Sequence, residues 1–383
     1  MKLLFILDHF GIGGAQRQMI TLAIGLKKKG HDVQFFIYYP EYKNFSGDLT
    51  KNNITINEYQ KKFRFDPGVM IELSRLVKNN KYDIVVSFLR TPNLYAELLN
   101  IIGHRFPLVV SERSAYPYEK VTFGRKIREQ FHRFSTHITV NSHNHRLSMI
   151  RVHPWIANKI TTIYNGIDLD LYNPGNNFSQ KVNSQKSKLL VLSSIRSLKN
   201  VNGLVSALIH YKNNYGEPPM INWAGKASNY RDDQETLYAA NKLIYDNGLS
   251  EYWNWLGERT DVIELLREHD GLILGSFYEG LPNAICEALA CGTPVLASNV
   301  CDNPRLVQDG VTGFLFDPKN PQDIAKCIYK YFCLNIGERI EMCKNARSYA
   351  EKNLSLDRYV SEYEKIFRLL IEKFENKIIN QSN

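Results

Sequence analysis

The sequence predicts an α/β protein in which doubly wound parallel sheets form two domains of similar size. Short apolar runs alternate with amphipathic stretches along most of the chain, a rhythm typical of strands and helices in parallel sheets. A polar segment at residues 173–188, which contains Pro and Gly, interrupts this rhythm before it starts again. The length of 383 residues fits two or three domains.

In the first domain, residues 1–172, each expected strand is a short apolar run. Strands are expected at residues 2–7, 33–38, 84–88, 108–111 and 138–141, and helices at 14–29, 69–79 and 93–102. The first helix is expected to end before Gly30, because glycine commonly follows a helix C-terminus.

The second domain, residues 189–356, repeats the pattern after the linker at 173–188. Strands are expected at residues 189–194, 220–224, 253–256, 271–275 and 294–297, and helices at 201–211, 234–247 and 283–290. One long amphipathic helix, 357–379, follows the completed domain. Two such domains are expected to enclose a cleft.

Composition excludes several classes of protein. Hydrophobic residues make up 44% and charged residues 23%, which excludes a disordered chain. No apolar run approaches the roughly 18 residues that a membrane span needs, and the N-terminus begins a strand rather than a signal peptide. The six cysteines lie between Cys286 and Cys343 without paired spacing, which favours reduced, buried thiols in a cytoplasmic protein over a zinc site. The net charge of +9 suggests an anionic partner, whether nucleic acid, phosphorylated substrate or membrane.

A glycine-rich turn, Gly11 to Gly14, joins the first strand to the first helix. Glycines allow close backbone approach, and the helix N-terminus offers N–H donors to an anion. Dinucleotide binding is disfavoured because no acidic residue ends the second strand. The glycines could serve only to form a tight turn, or they could let a phosphate or sugar approach Gly13 and Gly14. The approach of a phosphate or sugar is favoured.

Two further loops carry charged residues where ligands bind in an open α/β sheet. Arg196 and Lys199 follow the first strand of the second domain and could neutralise a departing diphosphate, or could be solvated surface cations. Glu279 and Glu287 lie in a loop and in the helix after it, so both could accept hydrogen bonds from sugar hydroxyls. Gly280 leaves room for a ligand beside the backbone.

Together these features resemble glycosyltransferase family 4, whose members are retaining enzymes of the GT-B fold with two Rossmann-like domains. The resemblance extends to the stretches 165–168 (NGID), 292–295 (GTPV) and 309–313 (DGVTG). It implies that Glu279 contacts the donor sugar, that Glu287 binds the ribose, and that Arg196 and Lys199 bind the diphosphate of a nucleotide sugar, most commonly UDP-linked. It also implies that the loop 256–260 flanks the base, and that the C-terminal helix, 357–383, packs back onto the first domain. The implied donor-binding residues also include Gly13, Gly14, Gly280, Leu281, Pro282 and Asn283, and the catalytic ones are Glu279, Arg196 and Lys199.

One position departs from the family pattern. Where many members carry a His after the strand at 108–111, this chain has Arg113, which cannot act as a base at neutral pH. In a retaining front-face reaction the leaving phosphate can accept the proton, so no base is required. Arg113 could then bind phosphate or the acceptor, and it is assigned to the acceptor. The pair Asp168 and Asp170 is interpreted as a loop cap, and neither a metal nor any other cofactor is expected.

The stretch 123–134 is basic and carries aromatic residues at helical spacing. The first interpretation is a helix whose apolar face points into the core, and the second is a membrane-surface or lipid-diphosphate site. Nucleic-acid binding is the least favoured, and no nucleic-acid partner is expected, because no DNA- or RNA-reading module accompanies the charge. Under the second interpretation Arg125, Lys126 and Arg128 face the acceptor or an anionic membrane.

We therefore expect a metal-independent, retaining hexosyltransferase that acts at the cytoplasmic face of the membrane on a lipid-linked or growing glycan. Two alternatives are a catalytically silent glycan- or lipid-binding protein and a GT-B epimerase or phosphorylase. The sugar, the linkage and the oligomeric state do not follow from the sequence.

Overall fold

The computed structural model describes residues 1–64, 66–113, 121–175 and 187–382. Its contacts divide the chain into two compact units. Unit 1 consists of Met1–Gly166 together with Leu356–Asn383, and unit 2 consists of Ile167–Ser355. The C-terminal helix is therefore part of unit 1.

The first division falls earlier than the expected boundary after residue 172. The Ile167 N–H donates to the Leu354 carbonyl at 2.8 Å, and the Arg347 guanidinium donates to the carbonyls of Leu169 and Tyr172, so these residues are held by unit 2. Of the predicted linker 173–188, residues 176–186 lie outside the described part of the chain.

Unit 1 is built on a seven-stranded parallel sheet with the order β3-β2-β1-β4-β5-β6-β7. Its strands are β1 (Lys2–Leu7), β2 (Asp32–Ile37), β3 (Thr55–Glu58), β4 (Ile84–Phe88), β5 (Leu108–Glu112), β6 (His137–Val140) and β7 (Ile160–Thr162). Its helices are α1 (Gly14–Lys28), α2 (Ser46–Lys51), α3 (Gly68–Asn79), α4 (Arg90–Ile101), α5 (Phe123–Gln130) and α6 (His143–Val152).

Unit 2 is built on a six-stranded parallel sheet with the order β10-β9-β8-β11-β12-β13. Its strands are β8 (Lys188–Leu192), β9 (Met220–Ala224), β10 (Trp253–Gly257), β11 (Gly271–Leu274), β12 (Val295–Ser298) and β13 (Gly313–Phe316). Its helices are α7 (Val201–Tyr215), α8 (Arg231–Asp246), α9 (Val262–Glu268), α10 (Asn283–Ala290), α11 (Asn303–Leu306), α12 (Pro321–Phe332) and α13 (Ile336–Asn353). The prediction of two parallel α/β sheets is confirmed.

The C-terminal helix α14 (Leu356–Ser382) packs on unit 1 through one apolar face. Tyr359, Tyr363 and Phe367 recur at helical spacing on this face and are buried in the core formed by β1, β2 and α1. Among the described residues, no helix is both long enough and apolar enough to cross a membrane.

Candidate active site

The sheet of unit 2 changes its direction of winding between β8 and β11. The chain passes from β8 to β9 and β10 on one side, and then returns to add β11 on the other side of β8. In open α/β sheets, ligands bind beyond the carboxyl ends of the strands at such a switch point. The loops after these two strands carry the predicted residues Arg196, Lys199 and Glu279.

The structure brings two of these predicted residues into an ion pair. The Lys199 ammonium ends the 3-10 turn Ser197–Lys199, and its Nζ lies 2.6 Å from Glu279 Oε1. The side chains are 20% and 11% exposed, so water screens the pair only in part. The Phe277 N–H donates to the Leu198 carbonyl at 3.0 Å, which joins the two loops.

Arg196 points to a different carboxylate from Lys199. Its Nε lies 3.6 Å from Asp233 Oδ2, and Asp233 also accepts a hydrogen bond from the Ser228 hydroxyl. The Arg196 side chain is 52% exposed, which leaves the guanidinium open to an incoming anion. Sequence reasoning missed Asp233, because an acidic residue near a helix N-terminus is usually interpreted as a charge that stabilises the helix.

Glu287 lies on α10, the helix that follows the loop carrying Glu279. Residues 280–283 connect Glu279 to α10, which begins at Asn283 without a hydrogen-bonded side-chain cap from Pro282. Glu287 is half-buried on α10, where its Oε1 accepts a hydrogen bond from the Tyr172 hydroxyl at 3.4 Å. Tyr172 therefore positions this carboxylate from within the same unit.

Cys301 supports the loop that carries Glu279. The Glu279 backbone N–H donates to the Cys301 sulfur at 3.4 Å, and Cys301 adopts a left-handed backbone with a φ of 53°. Burial raises the pKa of this thiol, so it stays protonated and acts as a weak acceptor. A single cysteine distant in sequence gave no signal of this contact.

In unit 1 the corresponding switch point lies between β1 and β4, and the glycine-rich turn follows β1. Gly13 precedes α1 and Gly14 begins it, and α1 has no hydrogen-bonded side-chain cap. The Gly11 N–H donates to His9 Nδ1 at 2.8 Å, so His9 holds the turn. The Ile12 side chain at the tip is 86% exposed. The turn thus presents backbone donors at a helix N-terminus.

Arg113, predicted weakly as an acceptor ligand, is engaged in a structural cluster. Its guanidinium donates to Asn165 at 2.7 Å, to the Tyr359 hydroxyl at 3.1 Å and to the Tyr363 hydroxyl at 3.0 Å. It also stacks over the Phe88 ring at 4.3 Å. These contacts attach α14 to the sheet of unit 1, which corrects the expectation that Arg113 faces a ligand.

Two of the other predicted acceptor cations are also paired within the fold. Arg125 Nε lies 2.7 Å from Glu129, and Arg128 donates to the buried Glu97 at 2.9 Å. Buried carboxylates require such partners, which corrects the expectation that Arg125 and Arg128 are available to a membrane. Lys126 is exposed, and its role toward an acceptor or a membrane stays a prediction.

Three of the apolar residues of this segment are exposed, whereas Phe131 is half-buried. Phe123 is 78% exposed, Ile127 is 50% exposed, and Phe134 in the following 3-10 turn is 45% exposed. The core-facing interpretation is therefore wrong for Phe123, Ile127 and Phe134. An exposed apolar strip of this kind is unusual on a soluble surface.

Within the described residues, no three His, Cys, Asp or Glu side chains are grouped as a metal site would require. The Asp168 carboxylate accepts hydrogen bonds from the N–H groups of Asp170 and Leu171, each at 3.1 Å. These contacts are those of a loop cap.

Comparisons with known proteins cover almost the whole chain. The family model described as Glycosyltransferase Family 4 matches residues 12–171, and that described as Glycosyl transferases group 1 matches residues 174–353. A Campylobacter jejuni protein named GalNAc-alpha-(1->4)-GalNAc-alpha-(1->3)-diNAcBac-PP-undecaprenol alpha-1,4-N-acetyl-D-galactosaminyltransferase is 24% identical over 85% of this chain and 87% of its own length. An Escherichia coli protein named UDP-Gal:alpha-D-GlcNAc-diphosphoundecaprenol alpha-1,3-galactosyltransferase is 26% identical over 82% of this chain and 81% of its own length.

Solved structures share the fold. Anabaena Alr3699/HepE in complex with UDP superimposes with a TM-score of 0.80 at 20% identity, over 96% of this chain and 100% of that chain. WaaG, a glycosyltransferase involved in lipopolysaccharide biosynthesis, superimposes with a TM-score of 0.69 at 19% identity, over 95% of this chain and 99% of that chain. The two family models and these structures agree with the motifs of both units: the protein is a glycosyltransferase of family 4 with the GT-B fold.

Proposed function

We propose that this glycosyltransferase transfers a hexosyl group from a UDP-sugar to a lipid-linked or growing glycan, with retention of configuration and without a metal ion. The Lys199–Glu279 ion pair at the β8/β11 switch point carries the proposal, because it joins the cation that we propose binds the diphosphate to the carboxylate that we propose binds the sugar. The names of the relatives support the donor and the acceptor, since one refers to UDP-Gal and two refer to diphosphoundecaprenol or PP-undecaprenol.

The proposed reaction proceeds on one face of the donor sugar. The bond between the anomeric carbon and the UDP oxygen breaks, and the acceptor hydroxyl forms the new bond on the same face. The acceptor proton passes to the departing diphosphate. Arg196 and Lys199 stabilise the negative charge that develops on that diphosphate, and Glu279 holds the sugar hydroxyls. Glu287, positioned by Tyr172, holds the ribose diol.

The test incubates the protein with a panel of UDP-sugars and an undecaprenyl-diphosphate-linked sugar, and follows the product by NMR. We expect an axial glycoside from an axial donor, and loss of product in Glu279→Gln. Glu235→Gln removes a carboxylate of an exposed ion pair on α8 and is the matched control. Inversion of configuration would refute the mechanism. Donor binding without turnover on any acceptor would favour the silent binding protein, and a changed donor sugar without acceptor would favour an epimerase.

We also propose reversible association with the cytoplasmic face of the membrane through the apolar strip Phe123, Ile127 and Phe134. The strip lies beside the exposed Lys126 and Arg133, so apolar insertion and attraction to anionic lipid would act together.

Cosedimentation with anionic liposomes tests this association. Phe123→Ser combined with Ile127→Ser should release the protein, whereas Ile71→Ser, which removes an exposed apolar residue on α3, should not. Equal sedimentation of the double variant and the wild type would contradict it. Arg125 and Arg128 are unsuitable test positions, because their loss would remove the arginine partners of the buried carboxylates Glu129 and Glu97.

A further inference from the structure

A large open cavity lies in unit 1 at the edge of the sheet beside β7. It has a volume of 810 Å³ and is bounded by the loop after α4, the start of β6, the residues before β7 and the distal half of α14. A volume of this size is within the range of small-molecule sites. We call it the edge cavity. The glycine-rich turn lies beyond the carboxyl ends of the strands, whereas the edge cavity lies at their amino-terminal ends.

One wall of the edge cavity is apolar. Ile366, Leu370 and Phe374 recur at helical spacing along α14, and Leu369 beside them is 48% exposed. Phe106 closes the wall from the loop before β5. The exposed Leu369 is an apolar side chain that a ligand would cover.

The remaining lining is polar and includes three cations. Arg105, Lys159 and Lys373 face the edge cavity, and no carboxylate is found among its described lining residues. Lys159 is held in place by the carbonyls of His132 and Ser135, to which its ammonium donates at 2.6 and 2.8 Å. Burial lowers the pKa of Lys159 to about 8, so it remains largely charged at neutral pH. Burial also lowers the pKa of His137 to about 4, so this imidazole is neutral there.

The chemistry of the lining selects an anionic amphiphile. Among the described lining residues, no carboxylate is present to hold the ribose diol of a nucleotide, and neither a nucleotide nor a free phosphate would cover the apolar wall as the chains of an amphiphile would. The neighbouring surface suggests that the amphiphile comes from a membrane. Asn100 lines the edge cavity and donates to the Phe134 carbonyl at 3.0 Å. Phe134 belongs to the exposed apolar strip proposed above to associate with the membrane. We propose that the edge cavity binds one membrane phospholipid with an anionic headgroup, at a site separate from the donor site.

Short-chain lipids below their micelle concentration test the site without a bilayer. Dihexanoylphosphatidylglycerol should bind the full-length protein in a saturable one-site calorimetric titration. Dihexanoylphosphatidylcholine should bind at least about tenfold more weakly because it lacks net charge, and glycerol phosphate should bind at least about tenfold more weakly because it lacks the chains. Equal affinity for the two lipids, or for glycerol phosphate, would overturn the proposal.

Variants locate the binding. Arg105→Gln combined with Lys373→Gln should weaken phosphatidylglycerol binding by about tenfold or more. Leu369→Asp, at an exposed position that tolerates polarity, should do the same by placing a carboxylate on the wall. Lys43→Gln combined with Lys51→Gln removes the same charge from exposed positions between β2 and β3 and should leave binding unchanged.

Three outcomes bear on the assignment. Unchanged affinity in both edge-cavity variants, with UDP binding and thermal stability intact, would overturn it. Displacement of phosphatidylglycerol by micromolar farnesyl diphosphate, but not by excess phosphatidylcholine, would also overturn it, because the edge cavity would then be an acceptor subsite. Retained phospholipid binding in Glu279→Gln would support a site that does not depend on the proposed transferase function.

Discussion

The Lys199–Glu279 ion pair leads to a prediction in which affinity and turnover change in opposite directions. The ammonium that would meet the donor diphosphate already lies 2.6 Å from a carboxylate. A diphosphate must therefore share Lys199 with Glu279, and the carboxylate also repels the phosphate oxygens. Glu279→Gln keeps the shape of the side chain and removes its charge. We expect this variant to bind UDP more tightly and to turn over more slowly.

The magnitude follows from the burial of the pair. A hydrogen bond that involves a charged group contributes about 1.5–3 kcal/mol. The two side chains are 20% and 11% exposed, so a substantial part of this interaction survives screening. If the variant releases about 1–2 kcal/mol of it, the Kd for UDP falls about 5- to 30-fold. Turnover at saturating donor should fall about 100-fold or more, because Glu279 would no longer stabilise the reacting sugar.

Calorimetric titration with UDP, together with kcat at saturating UDP-sugar, measures the two effects separately. Glu287→Gln is an informative comparison, because loss of a ribose ligand should weaken UDP binding. Glu235→Gln should change neither quantity. The ligand-induced shift in Tm should also be larger for Glu279→Gln than for the wild type. An unchanged or weaker affinity of Glu279→Gln for UDP would refute the reasoning, whatever happens to kcat.

Three other predictions concern stability and metal dependence. Arg113→Met should lower the free energy of unfolding by about 3 kcal/mol, because α14 loses charged hydrogen bonds to Tyr359 and Tyr363, and urea unfolding measures this; a change below about 1 kcal/mol would contradict it. Burial lowers the pKa of His137 to about 4 and of His145 to about 3. The unfolded chain therefore binds more protons below pH 6.5, and each histidine should lower stability by up to about 1.4 kcal/mol per pH unit as the pH falls toward these values; equal urea midpoints at pH 7.5 and 5 would contradict this. Catalysis should continue in EDTA, since side-chain cations and helix N–H groups would neutralise the diphosphate; activity lost to EDTA and restored by manganese or magnesium would refute that mechanism.

The central strands could be predicted from the sequence because they are buried on both faces. Such strands appear as continuous apolar runs, and the predicted bounds match β1, β4 and β9. Both edge strands of the unit 1 sheet were missed for the opposite reason, whereas the edge strand β10 of unit 2 was predicted. β3 and β7 lie at the edges of the sheet and carry polar side chains, so the apolar run in each strand is only one or two residues long. The last strand, β13, is short and follows a glycine-rich stretch that is typical of loops.

The site was only partly predictable, because motifs identify residues but not their partners. Glu279 and Lys199 follow neighbouring strands, so topology alone suggests that they approach each other. The Arg128–Glu97 pair joins two helices that are distant in sequence, and the pattern of α5 alone cannot distinguish a paired arginine from a free one. The cysteine that accepts the Glu279 N–H was missed for the same reason.

Arg113 illustrates how a departure from a family pattern can reflect architecture. Its guanidinium lies over Phe88 at the end of β4 and donates to two tyrosines of α14, which comes from the other end of the chain. A neutral histidine has one N–H donor, whereas an arginine has five. The exchange therefore adds attachment points for the C-terminal helix at the carboxyl edge of the sheet. In the front-face reaction proposed above, the diphosphate would take the acceptor's proton, so this position would be free to hold the helix instead.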